Sequence, residues 1–121
     1  MRYGAEASKL ILTAGNCARE LGHSYVGSIH FLLALTDEPG LSGRLLRGAG
    51  LDRNVLRDMT AVLYGMGTPE LPLPQGLTKE ARRILRGAAG EAQLLKRREV
   101  ESVHILLALT RREKAAAREL L

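Results

Sequence analysis

Two histidines occupy equivalent places in the sequence, and imidazole is a common metal ligand and proton carrier near neutral pH. His30 and His104 each stand two residues after a serine, Ser28 and Ser102. A zinc site needs three or four ligands, and neither histidine is followed by a histidine, cysteine or carboxylate at the i+3 or i+4 position. We therefore expect each imidazole to hydrogen bond to the backbone near a helix start, and we predict no metal and no cofactor. His23 is assigned to a loop.

The candidate nucleophiles lack the neighbours that would activate them. Cys17 falls on the apolar face of a predicted helix, where apolar surroundings disfavour the reactive thiolate. Ser28 is not part of the Gly-x-Ser-x-Gly sequence that exposes a catalytic serine, so we expect it to cap a helix. The chain also lacks the Gly-x-x-x-x-Gly-Lys-Ser/Thr sequence that binds nucleotide phosphates. We predict no catalytic residue and expect that this chain is not an enzyme.

Positive charge is concentrated in the second part of the chain. Residues 66–121 hold eleven Lys and Arg against seven Asp and Glu, a net charge of +4, whereas residues 1–65 carry +1, from seven against six. Lys96, Arg97 and Arg98 form the basic patch. A basic surface attracts nucleic acid or an acidic protein, but only 3% of the residues are aromatic and able to stack on bases. We expect an acidic adaptor protein as partner and keep a basic nucleic-acid-binding domain as an alternative.

The composition indicates a helical protein of a reducing compartment. Hydrophobic residues make up 45% of the chain, but aromatic residues are few, so Leu, Ala, Val and Ile must build the core, and Leu and Ala favour helices. No run of about 18 apolar residues could span a membrane, and residues 1–4 do not resemble a signal peptide. A single cysteine cannot form an internal disulfide, so we expect a cytoplasmic location.

Apolar residues at helical spacing predict four helices in the first part of the chain. The first helix has one apolar face and ends near Gly22, and the second begins after Gly27 with Ser28 as its cap. The third is short and ends at a glycine, and Asp52 caps the fourth. The first helix face consists of Leu10, Ile11, Ala14, Cys17, Ala18 and Leu21.

The second part of the chain begins with a linker. Residues 65–77 contain three prolines and three glycines, which exclude a regular helix. Thr78 is predicted to cap a fifth helix, a sixth opens at Ser102, and a seventh covers residues 113–121. We assign the whole chain, 1–121, to a single domain with repeat one at 4–64, the linker at 65–77 and repeat two at 78–121.

An internal repeat organises the chain. A shift of 74 residues places residues 26–36 on residues 100–110 without a gap, and eight of these eleven positions are identical. We expect an all-α fold in which two pseudo-symmetric helical repeats cover each other's apolar faces, with no β-sheet between them. Repeat two lacks a counterpart of the fourth helix in this sequence, so we expect it to leave an apolar patch exposed.

Residues 18–35, which read Ala-Arg-Glu-Leu-Gly-His-Ser-Tyr-Val-Gly-Ser-Ile-His-Phe-Leu-Leu-Ala-Leu, resemble the Clp repeat. Residues 101–109 resemble it less closely, and residues 77–81 resemble the opening of the second repeat. The chain is thus similar to the N-terminal domain of Clp-type AAA+ unfoldases of the ClpC/ClpA kind. The resemblance implies a non-catalytic module that binds adaptors or substrates for an ATPase ring and its peptidase. A stand-alone Clp-repeat regulatory or interaction protein is the alternative.

The resemblance also identifies candidate partner-binding positions. In the Gram-positive branch of that family, each repeat forms a pocket for phosphorylated arginine, with a glutamate for the guanidinium and a threonine for the phosphate. The matching positions here are Ile29 and Val103 for the glutamates and Gly4 and Thr78 for the threonines. Because an apolar side chain cannot pair with a guanidinium, we expect little phosphoarginine binding. We expect a protein partner at the seam between the repeats, beside the linker and the basic patch.

Overall fold

The computed structural model describes residues 2–23, 25–52, 54, 55, 58 and 76–120, and its described elements are mostly helical. The helices are α1 (Ala5–Glu20), α2 (Ser28–Thr36), α3 (Leu41–Gly48), α4 (Lys79–Leu94) and α5 (Ser102–Leu120). Two short strands are β1 (Arg2–Tyr3) and β2 (Glu99–Val100). The all-α class is confirmed. Most of the predicted linker, residues 65–75, lies outside the described residues.

The core of the molecule is shared by the two repeats. Helices α2 and α5 contact each other at its centre, α2 also contacts α4, and α5 contacts α1, as a twofold arrangement requires. Phe31 and Ile105, which are equivalent under the 74-residue shift, are both completely buried. One apolar cluster therefore includes side chains from both repeats, as predicted. Its equivalent pairs are Ala7 and Ala81, Leu10 and Ile84, Ala14 and Ala88, Ala18 and Ala92, Val26 and Val100, and Ala34 and Ala108.

Two crossings of extended backbone also join the repeats. In the first crossing, β1 pairs in parallel with β2, and Tyr3 lies opposite Val100. In the second crossing, Val26 forms a parallel bridge with Leu77. Under the 74-residue shift, Tyr3 is equivalent to Leu77 and Val26 to Val100. The same crossing therefore occurs twice, with the roles of the two repeats exchanged.

The expectation that no strand pairing lies between the repeats was therefore wrong. The N–H of Gly4 donates to the carbonyl of Val100 at 2.8 Å, and the N–H of Thr78 donates to the carbonyl of Val26 at 2.9 Å. These residues precede helices, so their N–H groups have no partner within the helix and must find one elsewhere. The opposite repeat supplies that partner at both places.

The two repeats end their first helices in the same way. The chain reverses after α1 at Gly22, with φ of 70°, and after α4 at Lys96, with φ of 56°. The N–H of the next residue in each case, His23 and Arg97, donates back to Ala18 and Ala92, five residues earlier. Glycine adopts this left-handed conformation at little cost, whereas lysine does not. The basic patch thus begins at a position where the fold is strained.

Two predicted helix boundaries need correction. The sixth and seventh predicted helices are one continuous helix, α5, because Glu113 and Lys114 stand where Pro39 and Gly40 end α2 in repeat one. Ser28 is the first residue of α2 and not its cap, since Gly27 takes the cap position. The predicted caps Thr78 and Asp52 are confirmed by hydrogen bonds from the backbone N–H of Ala81 and Val55 to their side chains.

The repeats differ around Cys17. In repeat one, Cys17, Leu21 and Leu33 form a second buried cluster. Their counterparts in repeat two do not, because Glu91 replaces the cysteine, Leu95 is 55% exposed and Leu107 is only partly buried. The neighbouring Leu94 is 76% exposed. Leu95 and Leu107 of repeat two are therefore more exposed than their counterparts in repeat one, and the apolar patch expected in repeat two stays a prediction. Within the same described part of the chain, no helix is both long and apolar enough to cross a membrane.

Candidate partner-binding seam

The second crossing brings the starts of α2 and α4 together. Thr78 caps α4, with its Oγ1 accepting the N–H of Ala81 at 3.0 Å, and its methyl carbon lies 3.7 Å from the place of a Cβ on Gly27. A cavity of about 360 Å³ opens beside this contact. It is lined by His23, Tyr25, Gly27, Ser28, Ile29, His30, Thr78 and Glu80. The structure thus places the predicted positions Ile29 and Thr78 in one cavity, which we call the seam cavity.

The first crossing places different side chains at the equivalent point. Gly4, which is buried, precedes α1 and has no side chain to cap it. A Cβ on Gly4 would lie 2.6 Å from Oε1 of Glu101, so the Glu101 carboxylate occupies that space. A negative charge is favourable at a helix N-terminus because of the helix dipole. Neither Gly4 nor Val103 lines the seam cavity. The structure thus groups Ile29 with Thr78 of repeat two, whereas one pocket in each repeat had implied a grouping with Gly4.

An apolar trough continues from the seam cavity. This second cavity of about 390 Å³ shares Ser28, Ile29 and Glu80 with the seam cavity and extends between α2, α3, α4 and α5. Equivalent residues of the two repeats, Leu32 and Leu106, both line it. Its other apolar lining residues include Leu46, Leu51, Ile84 and Leu109. The two cavities together form a groove that both repeats contribute to.

An ion pair stands at the rim of the trough. Arg112 donates to both carboxylate oxygens of Glu80, at 2.9 Å and 3.0 Å, which links α5 to α4. The hydrogen bonds from Arg112, and its charge, lower the pKa of Glu80, and burial opposes them. Both side chains are partly exposed, so the pair contributes little stability, in the range of about 0–1 kcal/mol. Its effect is to fix the position of a carboxylate beside both cavities.

Each predicted histidine binds the backbone at its helix start. Nδ1 of His30 accepts the N–H of Gly27 at 2.8 Å, and Nδ1 of His104 accepts the N–H of Glu101 at 2.8 Å. In return, the backbone N–H of each histidine donates to the backbone carbonyl of the same partner residue. The imidazole thus fills the place that Glu or Gln takes in a capping box, while a backbone carbonyl replaces the usual N-cap side chain. The structural role predicted for both histidines is confirmed.

His23, which the sequence assigned to a loop, completes a histidine pair at the seam cavity. Its Nδ1 lies 2.8 Å from Nε2 of His30. Because Nδ1 of His30 is an acceptor, the neutral ring carries its proton on Nε2 and donates it to His23. The pKa of His30 is lowered to about 4, mainly by burial and in smaller part by repulsion from the neighbouring His23. Both nitrogens of His30 are thus engaged in hydrogen bonds.

The basic patch, expected beside the seam, does not line the groove. Lys96, Arg97 and Arg98 are exposed in the turn after α4, and none of them lines the seam cavity or the trough. Arg111 and Arg112 are instead engaged in ion pairs with Glu91 and Glu80. Lys96, Arg97 and Arg98 thus differ from these two arginines in that they form an exposed basic turn.

Sequence reasoning missed several residues of the groove. Tyr25 is 48% exposed at the mouth of the seam cavity, and Glu80 borders both cavities. Glu80 and Arg112 are 32 residues apart, and the repeat pattern gives no signal for their pairing because the equivalent residues, Glu6 and Glu38, have like charges. Tyr25 lies just before the repeated segment and resembled an ordinary loop residue.

Comparisons with known proteins identify the family. A profile of the Clp repeat (R) N-terminal domain matches residues 2–121. The chloroplastic chaperone protein ClpC3 of rice is 36% identical over 112 residues, which are 92% of this chain and 12% of ClpC3. The chain belongs to the Clp repeat N-terminal domain family. It spans about an eighth of the length of such curated relatives.

Solved structures share the fold. The N-terminal domain of Hsp104 from Candida albicans superposes with a TM-score of 0.73 at 23% identity, covering 90% of this chain and 73% of that one. The N-domain of ClpV from Vibrio cholerae gives a TM-score of 0.75 at 23% identity, covering 93% of this chain and 69% of that one. The resemblance inferred from the repeat is thereby confirmed for both family and fold.

The buried His30 should make stability depend on pH. Since its pKa is lowered in the folded state, the unfolded chain binds a proton below about pH 6.5 and the folded chain does not until about pH 4. We predict that the free energy of unfolding falls across this window, by an amount on the order of 3 kcal/mol from His30 alone. His30→Gln retains an acceptor for the N–H of Gly27 and removes the titrating group. The free energy of unfolding of this variant should therefore fall less between pH 6.5 and pH 4. Urea unfolding at several pH values measures this.

His104→Gln is the matched control, because it makes the same replacement at the equivalent cap. A His30→Gln protein whose stability falls as steeply as that of the unaltered chain between pH 6.5 and 4 would assign the pH dependence to other groups.

The seam cavity also tests which residues would recognise phosphoarginine. We predict that the free phosphorylated amino acid binds only at millimolar concentration or not at all, because Ile29 offers no charge to the guanidinium. Ile29→Glu should raise the affinity at least about tenfold, because Thr78 lies in the same cavity. Val103→Glu is the control, since its crossing contains Gly4 and the Glu101 carboxylate. Calorimetry would contradict this grouping if Val103→Glu gained more affinity than Ile29→Glu.

Proposed function

We propose that this chain is a non-catalytic protein-binding module of a Clp-type ATP-dependent unfoldase, and that it docks adaptors or substrates for the ATPase ring and its peptidase. Family membership supports a Clp N-terminal role. Relatives named as ATP-binding subunits of the Clp protease are about seven times longer than this chain. The ATPase ring and the peptidase are therefore inferred from these relatives and not from the residues of this chain. The observation that carries the docking role is the groove that both repeats line.

The groove has the chemistry of a peptide-binding surface. Its two cavities of about 360 and 390 Å³ each fall in the ordinary size range of ligand pockets, and such pockets concentrate where structural units meet. The trough is lined by leucines, and Ser28 and Glu80 provide polar groups at its junction with the seam cavity. An extended segment could place apolar side chains in the trough and hydrogen bond at the junction.

Charge supports an acidic partner. The turn at Lys96, Arg97 and Arg98 is exposed, and the chain as a whole carries a formal charge of +5. Positive surface charge accelerates the encounter with an acidic protein at low salt. This arrangement favours acidic adaptors or acidic unfolded segments over neutral ones.

Two further points belong to the same proposal. A stand-alone Clp-repeat protein that regulates such a machine would use the same groove, and it remains the second form of the proposal. We retain the cytoplasmic location inferred from the single cysteine, although the named plant relatives are chloroplastic. Nucleic acid is a weaker candidate, since Arg111 and Arg112, which add to the positive charge of residues 66–121, are paired with glutamates.

The partner's charge preference can be measured with a defined probe. We predict that fluorescein-labelled casein, an acidic unfolded protein, binds the chain and that its affinity falls as salt rises from about 50 to about 300 mM. Changing both Arg97 and Arg98 to Glu should lower the low-salt affinity at least about tenfold, because it replaces attraction by repulsion. Fluorescence anisotropy reports both effects.

The matched control changes Arg82 and Arg86 to Glu, which gives the same net charge on exposed positions of α4. Equal losses of casein affinity in the two double variants would show that net charge, and not the position of Arg97 and Arg98, determines the effect. Binding that ignores salt and both reversals would contradict the charge preference and leave the apolar lining of the trough as the contact.

A further inference from the structure

A third cavity lies within repeat one, apart from the groove. It has a volume of about 260 Å³ and opens between α1 and the turn that follows α2. Leu10 and Ala34, both buried, form its floor. Glu6, Asp37 and Glu38 stand around it. We call it the acidic cavity.

The charge of the acidic cavity is opposite to that of the chain. Among its described lining residues there are three carboxylates and one cation, Lys9, whereas the whole chain carries a formal charge of +5. Like charges that face one cavity repel each other, and a cation placed between them relieves the repulsion. The cavity is therefore electrostatically suited to a positively charged group.

The second repeat shows which cation fits. The 74-residue shift places Glu6 on Glu80 and Glu38 on Arg112. In repeat two, Arg112 donates two hydrogen bonds to Glu80, so a guanidinium is already bound at the equivalent glutamate. Asp37 falls on Arg111, which pairs with Glu91.

Repeat one keeps the glutamate but not the arginine. The residue that follows α2 at that place is Glu38, a carboxylate, so repeat one has no arginine at the position equivalent to Arg112. The backbone of Glu38 is fixed to α2 and α3, because its N–H donates to the carbonyl of Leu35 and its carbonyl accepts from Arg47.

We propose that the acidic cavity binds an arginine side chain presented by a partner protein. Glu6 and Glu38 receive the guanidinium, whose planar fork of N–H donors matches carboxylates better than the ammonium of lysine does. Leu10 and Ala34 contact its methylene groups, as apolar surfaces commonly do with long cationic side chains. This surface is distinct from the groove, so the proposal does not rest on the docking role given above.

The test uses two small probes and NMR. N-acetyl-arginine methylamide is titrated into the ¹⁵N-labelled chain, and N-acetyl-citrulline methylamide, which has the same shape without the charge, is the control probe. We expect the arginine probe to shift the amide signals of Thr13, Ala34 and Gly40, which line the acidic cavity, and the citrulline probe to bind at least about tenfold more weakly.

Variants then assign the binding to the cavity. Glu38→Arg recreates the internal pair of repeat two and should abolish binding of the arginine probe. Glu6→Gln should weaken it at least about tenfold with little change of shape. In the opposite direction, Arg112→Glu removes the internal guanidinium from Glu80 and should create a second binding site for the probe in repeat two.

Three outcomes would overturn the proposal. The first is equal binding of the two probes, and the second is arginine-dependent shifts that persist in both Glu38→Arg and Glu6→Gln. The third is concentration-dependent dimerisation, measured by sedimentation, that Glu38→Arg abolishes, since the occupant would then be a second copy of this chain. Retained melting temperatures in the Glu38 and Glu6 variants exclude unfolding as the cause of lost binding.

Discussion

The pairing of each repeat with the start of the other is the constraint on which the remaining structure depends. Helices α2 and α5 bury Phe31 and Ile105 in one shared apolar cluster, and the backbone N–H groups of Gly4 and Thr78 donate across to Val100 and Val26. Neither repeat can satisfy these groups alone, because an apolar helix face and an extended backbone both need a partner. The seam exists because the two copies complete each other.

Divergence of the two copies has made the two crossings chemically different. Thr78 faces Gly27 at one crossing, and Glu101 faces Gly4 at the other, so repeat two supplies the polar side chain at both crossings. The same divergence gives arginines to repeat two where repeat one has Asp37 and Glu38. A symmetric fold thus carries a groove, an acidic cavity and a basic turn on separate surfaces.

The sequence was sufficient for features that depend on local pattern or on the repeat. Helix faces, the turn at Gly22, the cap at Thr78 and the backbone contact of His30 all follow from side-chain type and spacing. It was not sufficient for features set by the opposite repeat. The shift that aligns Gly4 with Thr78 does not reveal that each meets a residue of the other copy, and so the grouping of Ile29 with Thr78 required coordinates. The uninterrupted α5 was missed because repeat symmetry was trusted over Glu113 and Lys114, which favour helix.

Native-state hydrogen exchange tests directly whether the two repeats are one unit. The amides of Gly4 and Thr78 donate across the seam, one in each direction, and α1 and α4 provide reference amides within each repeat. If the repeats complete each other, the most protected amides of α1 and α4 and both crossing amides exchange with the same free energy, equal to that of global unfolding. Amides of α4 and α5 that exchange at a clearly lower free energy than those of α1 and α2 would show that repeat two opens separately, and the shared seam would lose its place as the basis of fold and function.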